Sequence, residues 1–245
     1  MKQHLVIGHE GEVGSALFRL LRKNQLPCYG VDKGDAIPNV VADFIHICIP
    51  FSADFTAIVS EYVKRIKGEP ILIIHSTVAP GTTKTLEKAT DRVAFSPVRG
   101  KHPHLEEGLL KYSKFFATAN KDIIGEITKF FSSIGIKSQA FEDPTSLEAA
   151  KLVNTTWYFT QIVFAQEVVK LSIEHDFDTS LISKFVSSTG GRSLLPFAQK
   201  IGGHCLVPNA KVMSDYIGSD LAKCLVRLDK DFGNLFGDKK FPLET

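Results

Sequence analysis

Three glycines at intervals of three residues, Gly8, Gly11 and Gly14, stand in the stretch HLVIGHEGEVG (residues 4–14), directly after the apolar run Leu5-Val6-Ile7. Glycines placed between a strand and a helix suit the binding of phosphate. Gly8 allows a tight turn, Gly11 lets backbone approach a pyrophosphate, and Gly14 lets helix and strand pack closely. Glu12 and Val13 open the helix and belong to the same set. The spacing is G-x-x-G-x-x-G, one residue longer than the common G-x-G-x-x-G, and a tight turn without ligand would use the same glycines. Asp32 closes a second apolar run, PCYGVD, and lies where an acid binds an adenosine ribose. An acid there repels a 2′-phosphate, which favours NAD over NADP, while Lys33 beside it acts in the opposite sense. Pro50, Ser76 and Thr77 complete the expected cofactor set.

A second concentration of chemistry is the run His75-Ser76-Thr77-Val78-Ala79-Pro80-Gly81-Thr82-Thr83, which follows the apolar stretch Ile71-Leu72-Ile73-Ile74. Hydroxyls at the carboxyl end of a parallel strand lie where such sheets bind ligands. Thr82 or Thr83 capping a helix accounts for part of the run. Arg99, Lys101, His102 and His104 form a basic cluster suited to an anionic substrate. The His-x-His pair has no third ligand at a useful spacing, so no metal site is expected. Lys151 and Asn154, three residues apart, share one helical face. A solvated lysine is the plain reading of Lys151, but its neighbours Ala149, Ala150, Leu152 and Val153 are apolar.

The elements that must hold these residues are read from periodicity. Strands are expected at 4–7, 27–32, 44–49, 71–74, 93–97, 115–118 and 137–140, with helices from 52 to 67 and 121 to 133. A crossover helix after the second strand is reduced or missing. His46 reads as a hydrogen-bonded core histidine. This alternation predicts an α/β, Rossmann-like, doubly wound and mainly parallel sheet over residues 1–143. From Pro144 the pattern is helix only, so 144–245 is a helical domain. Asp143 or Thr145 caps one long central helix that continues to about His175. Its apolar residues cover more than one stripe, which calls for burial between layers or in a homodimer. Further helices are expected at 178–188, 193–200 and 209–235, with a loose tail after Phe236.

Composition excludes several classes. The 245 residues are 44% hydrophobic and 23% charged, with a net charge of +2, so nothing argues for nucleic acid or an anionic membrane. No apolar run approaches the ~20 residues that cross a bilayer. No signal peptide is apparent, and Cys28, Cys48, Cys205 and Cys224 form no C-x-x-C pair, which fits a reduced, cytoplasmic setting. Cys28, Cys48 and Cys224 read as packing residues.

Gly202-Gly203-His204-Cys205, together with the Ser76–Thr83 run and Glu148-Ala149-Ala150-Lys151-Leu152, resembles the UDP-glucose/GDP-mannose dehydrogenase family. The resemblance runs from residue 4 to about 213. It implies an NAD-dependent enzyme that oxidises a primary alcohol of a nucleotide sugar twice, to a carboxylate. It further implies that Cys205 traps the aldehyde as a thiohemiacetal, that Lys151 stabilises oxyanions with Asn154 beside it, and that Thr77 helps hold cofactor and water. Arg99, Gly203 and His204 would then meet the substrate. Thiolate addition to a carbonyl and an ammonium beside an alkoxide are sound chemistry for those residue types. The chain departs from the family at Val98, Asn154 with Thr155, and Asn209. It also stops where the family's third domain begins, so a short member is expected. Two alternatives stay open: a one-step hydroxyacid-type dehydrogenase using Lys151, and a non-catalytic nucleotide-binding relative.

Overall fold

The computed structural model describes residues 2–37, 39–100, 104–191, 193–201 and 205–243. Seven strands, β1 (His4–Ile7), β2 (Cys28–Val31), β3 (Phe44–Ile47), β4 (Ile71–Ile74), β5 (Val93–Phe95), β6 (Lys114–Ala117) and β7 (Ser138–Phe141), form one sheet in the order β2-β1-β3-β4-β5-β6-β7. Every neighbouring pair is parallel except β5 with β6. The strand order reverses between β1 and β3, and the crevice outside their carboxyl ends is where sheets of this kind bind ligands. All residues of β1, β3 and β4 are buried, which explains their unbroken apolar sequence.

Helices cover the sheet. These are α1 (Glu12–Lys23), α2 (Phe55–Arg65), α3 (Thr82–Leu86), α4 (Leu105–Lys111) and α5 (Ile124–Ser133). Ala16, Leu17, Leu20 and Leu21 give α1 one buried stripe against Val6, Phe44 and Ile73 on one sheet face. Phe55 and Val59 of α2 pack with Leu5, Ile45 and Leu72 on the other. Among the described residues no helix lies between β2 and β3, in line with the reduced or missing crossover expected there.

The long helix α6 (Pro144–His175) has the expected bounds, and Asp143 Oδ1 caps it by accepting from Ser146 N at 3.1 Å. The chain divides into two compact units, Met1–Lys151 and Leu152–Thr245, so the division falls inside α6. In the second unit, α7 (Thr179–Ser187), α8 (Leu206–Ile217) and α9 (Asp220–Phe236) accompany the rest of α6. Val153, Trp157, Tyr158 and Phe164 of α6 are exposed in the single chain.

Three expectations for this unit are corrected. Residues 193–200 contain no helix; β8 (Phe197–Ala198) lies there and pairs antiparallel with β9 (Phe241–Pro242). Pro196 disfavours helix at that point. The tail is consequently not loose: Leu243 is 2% exposed and donates its N–H to Pro196 O, and Phe241 packs on Phe232 and Phe236. The stretch 209–235 is two helices, because Gly218 adopts φ +78 and Ser219 caps α9. Inside this unit Asp229 accepts from Gln166 Nε2 and from Ile201 N, which satisfies a buried carboxylate. No helix among the described residues is long and apolar enough to cross a membrane.

The first unit has a polar seam in its core. His46, fully buried, is hydrogen-bonded to His4 and to His75, as its position in an apolar strand suggested. Burial lowers the His4 pKa from 6.5 to about 4, and it holds His46 and His75 well below 6.5. The folded chain therefore refuses protons that the unfolded chain binds below pH 6.5, and stability falls as pH drops through that window. The slope is up to about 1.4 kcal/mol per pH unit for each histidine. Thermal unfolding from pH 8 to 5 should show a melting temperature that declines below pH 6.5, with a shallower decline in His46→Leu. A flat profile would contradict this burial account.

Candidate functional site

The glycine turn closes as its residue types require. Gly8 has φ +84, and a Cβ there would lie 2.7 Å from Cys48 O. At Gly14 a Cβ would meet Gly8 O at 1.9 Å, so α1 packs directly on the end of β1. Gly11 is the N-cap of α1 and has no side-chain cap. Val13 and Gly14 lie in the first turn of α1, where backbone N–H groups have no partner within the helix and can face an anion. Only glycine fits at positions 8 and 14, where a side chain would collide with the chain itself, and the bare backbone that results suits the close approach of a pyrophosphate.

Asp32 stands at the carboxyl end of β2. Its Oδ2 accepts from Glu10 N at 2.8 Å, tying the acid to the glycine turn. His9 Nδ1 lies 2.9 Å from the same oxygen but off the hydrogen-bond line. The His9 ring covers Gly30, where a Cβ would sit 2.3 Å from it. Lys33 and Pro50 are exposed near this edge.

Ser76 joins two strand ends, since its Oγ donates to Ile49 O at 2.6 Å. Thr77 is half-buried at the end of β4. Thr82 and Thr83 are not caps, contrary to one sequence reading: the N-cap of α3 is Gly81, and Thr82 Oγ1 donates to Ala79 O. The capping group is Glu148 of α6. Its Oε2 accepts from Gly81 N at 2.6 Å, and its Oε1 accepts from Thr83 N at 2.8 Å and Thr83 Oγ1 at 2.6 Å. Burial raises its pKa, and the hydrogen bonds from Thr83 and Gly81 oppose that rise. One turn on, Lys151 Nζ donates to Val98 O at 2.9 Å.

Two preceding carbonyls are also held by an amine. Lys114 Nζ donates to Ser96 O at 2.7 Å and Pro97 O at 2.9 Å. Lys114 is 4% exposed, and burial pulls its pKa down to about 7. Two lysines thus pin consecutive carbonyls of residues 96–98, just beyond β5. Arg99 is exposed with its guanidinium 4.0 Å over the Phe115 ring, so a cation-π contact fixes it beside this segment.

The second unit carries the other named residues. Asn154 is exposed, whereas Thr155 is buried and its Oγ1 donates to Leu152 O. Cys205 is exposed at the N-cap of α8. Gly203, His204, Lys101 and His102 lie outside the described residues. Among the described residues no group of three His, Cys, Asp or Glu is placed to hold a metal ion.

No protein-family model matches the sequence, and no curated protein matches it. Solved structures do match the fold. The UDP-D-ManNAc dehydrogenase of Pyrococcus horikoshii is 16% identical at a TM-score of 0.78, over 95% of this chain and 69% of that one. The 3-hydroxyisobutyrate dehydrogenase of Mycobacterium tuberculosis is 13% identical at a TM-score of 0.73, over 99% of this chain and 97% of that one. Psf3, solved with NADP+, is 16% identical at a TM-score of 0.65, over 97% and 96%. The chain therefore has the Rossmann-like fold with a helical region that these proteins share.

Sequence reasoning assigned no role to three residues: Glu148, which it named only within a motif, Lys114 and His9. Glu148 stands in an apolar run, Leu147 to Val153, where a buried acid needs a partner. Lys114 opens a strand as apolar as Phe115-Phe116-Ala117. Glu148→Ala would leave the Gly81 and Thr83 donors unpaired. Leaving buried donors unsatisfied costs about 1–3 kcal/mol, which lowers the melting temperature by roughly 2–12 °C. Thermal denaturation of this variant should show that loss. A shift under about 2 °C would mean that Glu148 does not secure the loop.

Proposed function

We propose that the chain is an NAD-dependent oxidoreductase that oxidises a primary alcohol of a sugar or nucleotide sugar. The observation that carries this reading is the Lys151 amine, held at Val98 O on a helix that Glu148 fixes to the hydroxyl-rich loop. The helix N–H groups of Glu12, Val13 and Gly14 would take the pyrophosphate, and Asp32 would take the adenosine ribose. Bound NAD supplies a hydride acceptor. Lys151 places positive charge where an alkoxide develops, an effect worth a few kcal/mol in a site shielded from water. Asn154 and Thr77 would orient the substrate alcohol and water, and Arg99 would meet an anionic group.

Cys205 adds a second oxidation in this reading. Its thiol would add to the aldehyde carbon, with the S–H proton passing to the carbonyl oxygen, and the resulting thiohemiacetal would give its hydride to a second NAD+ and its hydroxyl proton to water, leaving a thioester. Water then releases the carboxylate and the thiol. A one-step hydroxyacid-type reaction is the second reading. The likeness in fold to the 3-hydroxyisobutyrate dehydrogenase, at a TM-score of 0.73, supports it. In that case Lys151 exchanges the alcohol proton and Cys205 is incidental.

Turnover of a panel of sugar, nucleotide-sugar and hydroxyacid alcohols tests both. Lys151→Ala should lower kcat by about a hundredfold or more while NAD+ affinity stays within about threefold. Two NADH per substrate, falling to one or none in Cys205→Ala, supports the thiol route. One NADH and an unchanged Cys205→Ala rate supports the hydroxyacid reading. Failure to bind NAD+ would overturn both.

A further inference from the structure

A groove at the amino edge of the sheet has no part in the reaction above. His4 and Phe44 open β1 and β3 and stand level with each other. The glycine turn follows the other end of β1, so these two residues lie at the edge opposite the cofactor site. Phe130 of α5 closes on both. Its ring centroid is 4.8 Å from that of His4 and 4.9 Å from that of Phe44, and His4 stacks on Phe44 at 5.1 Å. The three rings make one floor, with Leu26 beside it, under a groove of about 330 Å³. That volume lies within the range of small-molecule pockets, which combine apolar walls with a few converging polar groups.

The polar groups favour one sign of charge. Glu126, Lys129 and Ser133 share one face of α5 and line the groove with Lys2. Glu126 is already committed: its Oε2 accepts from Lys2 Nζ, and its Oε1 accepts from an Arg92 guanidinium nitrogen at 2.9 Å. Ser133 Oγ donates to Phe130 O. Asp43, the other acid near His4, is tied to Gln3 N at 2.7 Å. Lys129 is exposed and has no carboxylate partner among the described residues, so it is the surplus cation. His4 adds a donor from the floor itself. It is 2% exposed, its Nδ1 lies 3.0 Å from His46 Nε2, and its Nε2 has no partner among the described residues. Unlike His9 Nδ1, that nitrogen is not sealed from water, so it opens on the groove. Imidazole carries its proton on either nitrogen, so His4 Nε2 can donate while Nδ1 accepts from His46. A phenyl ring would complete the floor without the cost of burying polar nitrogens.

We propose that this groove is a second ligand site, for a small aromatic carboxylate. The ring of the ligand packs against Phe44, Phe130 and Leu26. One carboxylate oxygen accepts from His4 Nε2, and the Lys129 ammonium meets the charge. A neutral aromatic would leave Lys129 without a counter-charge, and an aromatic amine would add a cation beside Lys2 and Lys129. Binding needs neither cofactor nor alcohol, because the groove and the glycine turn are at opposite ends of β1.

Benzoate, benzyl alcohol and benzylamine share one ring and differ in charge, and they are the probes. Each is titrated into the protein without NAD+, and the His4 ring and the backbone amides of α5 are followed by NMR on ¹⁵N-labelled protein. Benzoate should bind saturably with a dissociation constant on the order of 1 mM, about fivefold or more tighter than the other two. Lys129→Glu, at an exposed position, should weaken benzoate by about fivefold or more and leave benzyl alcohol within about twofold. His4→Phe keeps the aromatic floor and should weaken benzoate by about tenfold, read from the α5 amides. The absence of a saturable shift by about 20 mM benzoate overturns the proposal. Equal binding of benzoate and benzylamine overturns it too, as does benzoate affinity unchanged in Lys129→Glu. These three arms stand even where His4→Phe fails to fold. Failure here leaves the dehydrogenase reading intact, and loss of NAD+ binding leaves the benzoate result intact.

Discussion

Glu148 is the contact on which the chemistry of the first unit depends. A carboxylate with no exposure is tolerated only when its lone pairs are filled, and Gly81 and Thr83 fill them with three donors. Those donors are the free end of α3, so one group solves two problems. The loop gains the cap that its own threonines do not provide, and α6 gains a fixed start. A helix is stiff, so a fixed start also fixes what lies one turn later. Lys151 is that residue. Its reach to Val98 O is therefore set by a carboxylate one turn earlier.

The Ser96–Val98 segment is the other half of the arrangement. Three successive carbonyls at the end of a short strand would otherwise point into a sparsely hydrogen-bonded region. Lys114 takes two of them and Lys151 takes the third. Burial strips Lys114 of water, which is why its amine titrates near 7 rather than 10.5. A cation that is easily lost beside one that anchors a helix keeps the local charge low. The glycine turn lies along the same sheet edge, so the first N–H groups of α1 and the amines are carried by one compact unit.

Much of this is legible in the sequence. The strands, the missing crossover after β2 and the bounds of α6 follow from apolar periodicity, which is strong where whole faces are buried. Gly8 and Gly14 were readable because only glycine fits where a Cβ would strike Cys48 O or Gly8 O. Short elements were not. β8 and β9 have two residues each, too few for any period, and their pairing depends on Phe232 and Phe236 in a distant helix. Gly218 hid a break because the apolar spacing continues on both sides of it. The Glu148 clamp was illegible for another reason: its partners are 65 and 67 residues away, and nothing local marks an acid as a cap for a remote loop. Asp32 was placed correctly at a strand end, but its bond to Glu10 N and its neighbour His9 arise only when the turn folds back.

A crystal structure with NAD+ bound tests the central claim most directly, because it shows the cofactor and the Lys151 amine together. The account predicts pyrophosphate on the N–H groups of Glu12 to Gly14, and a nicotinamide ring lying along the edge between Thr77 and Lys151. Dinucleotide bound elsewhere on the chain, or a nicotinamide pointing away from Lys151, would contradict it.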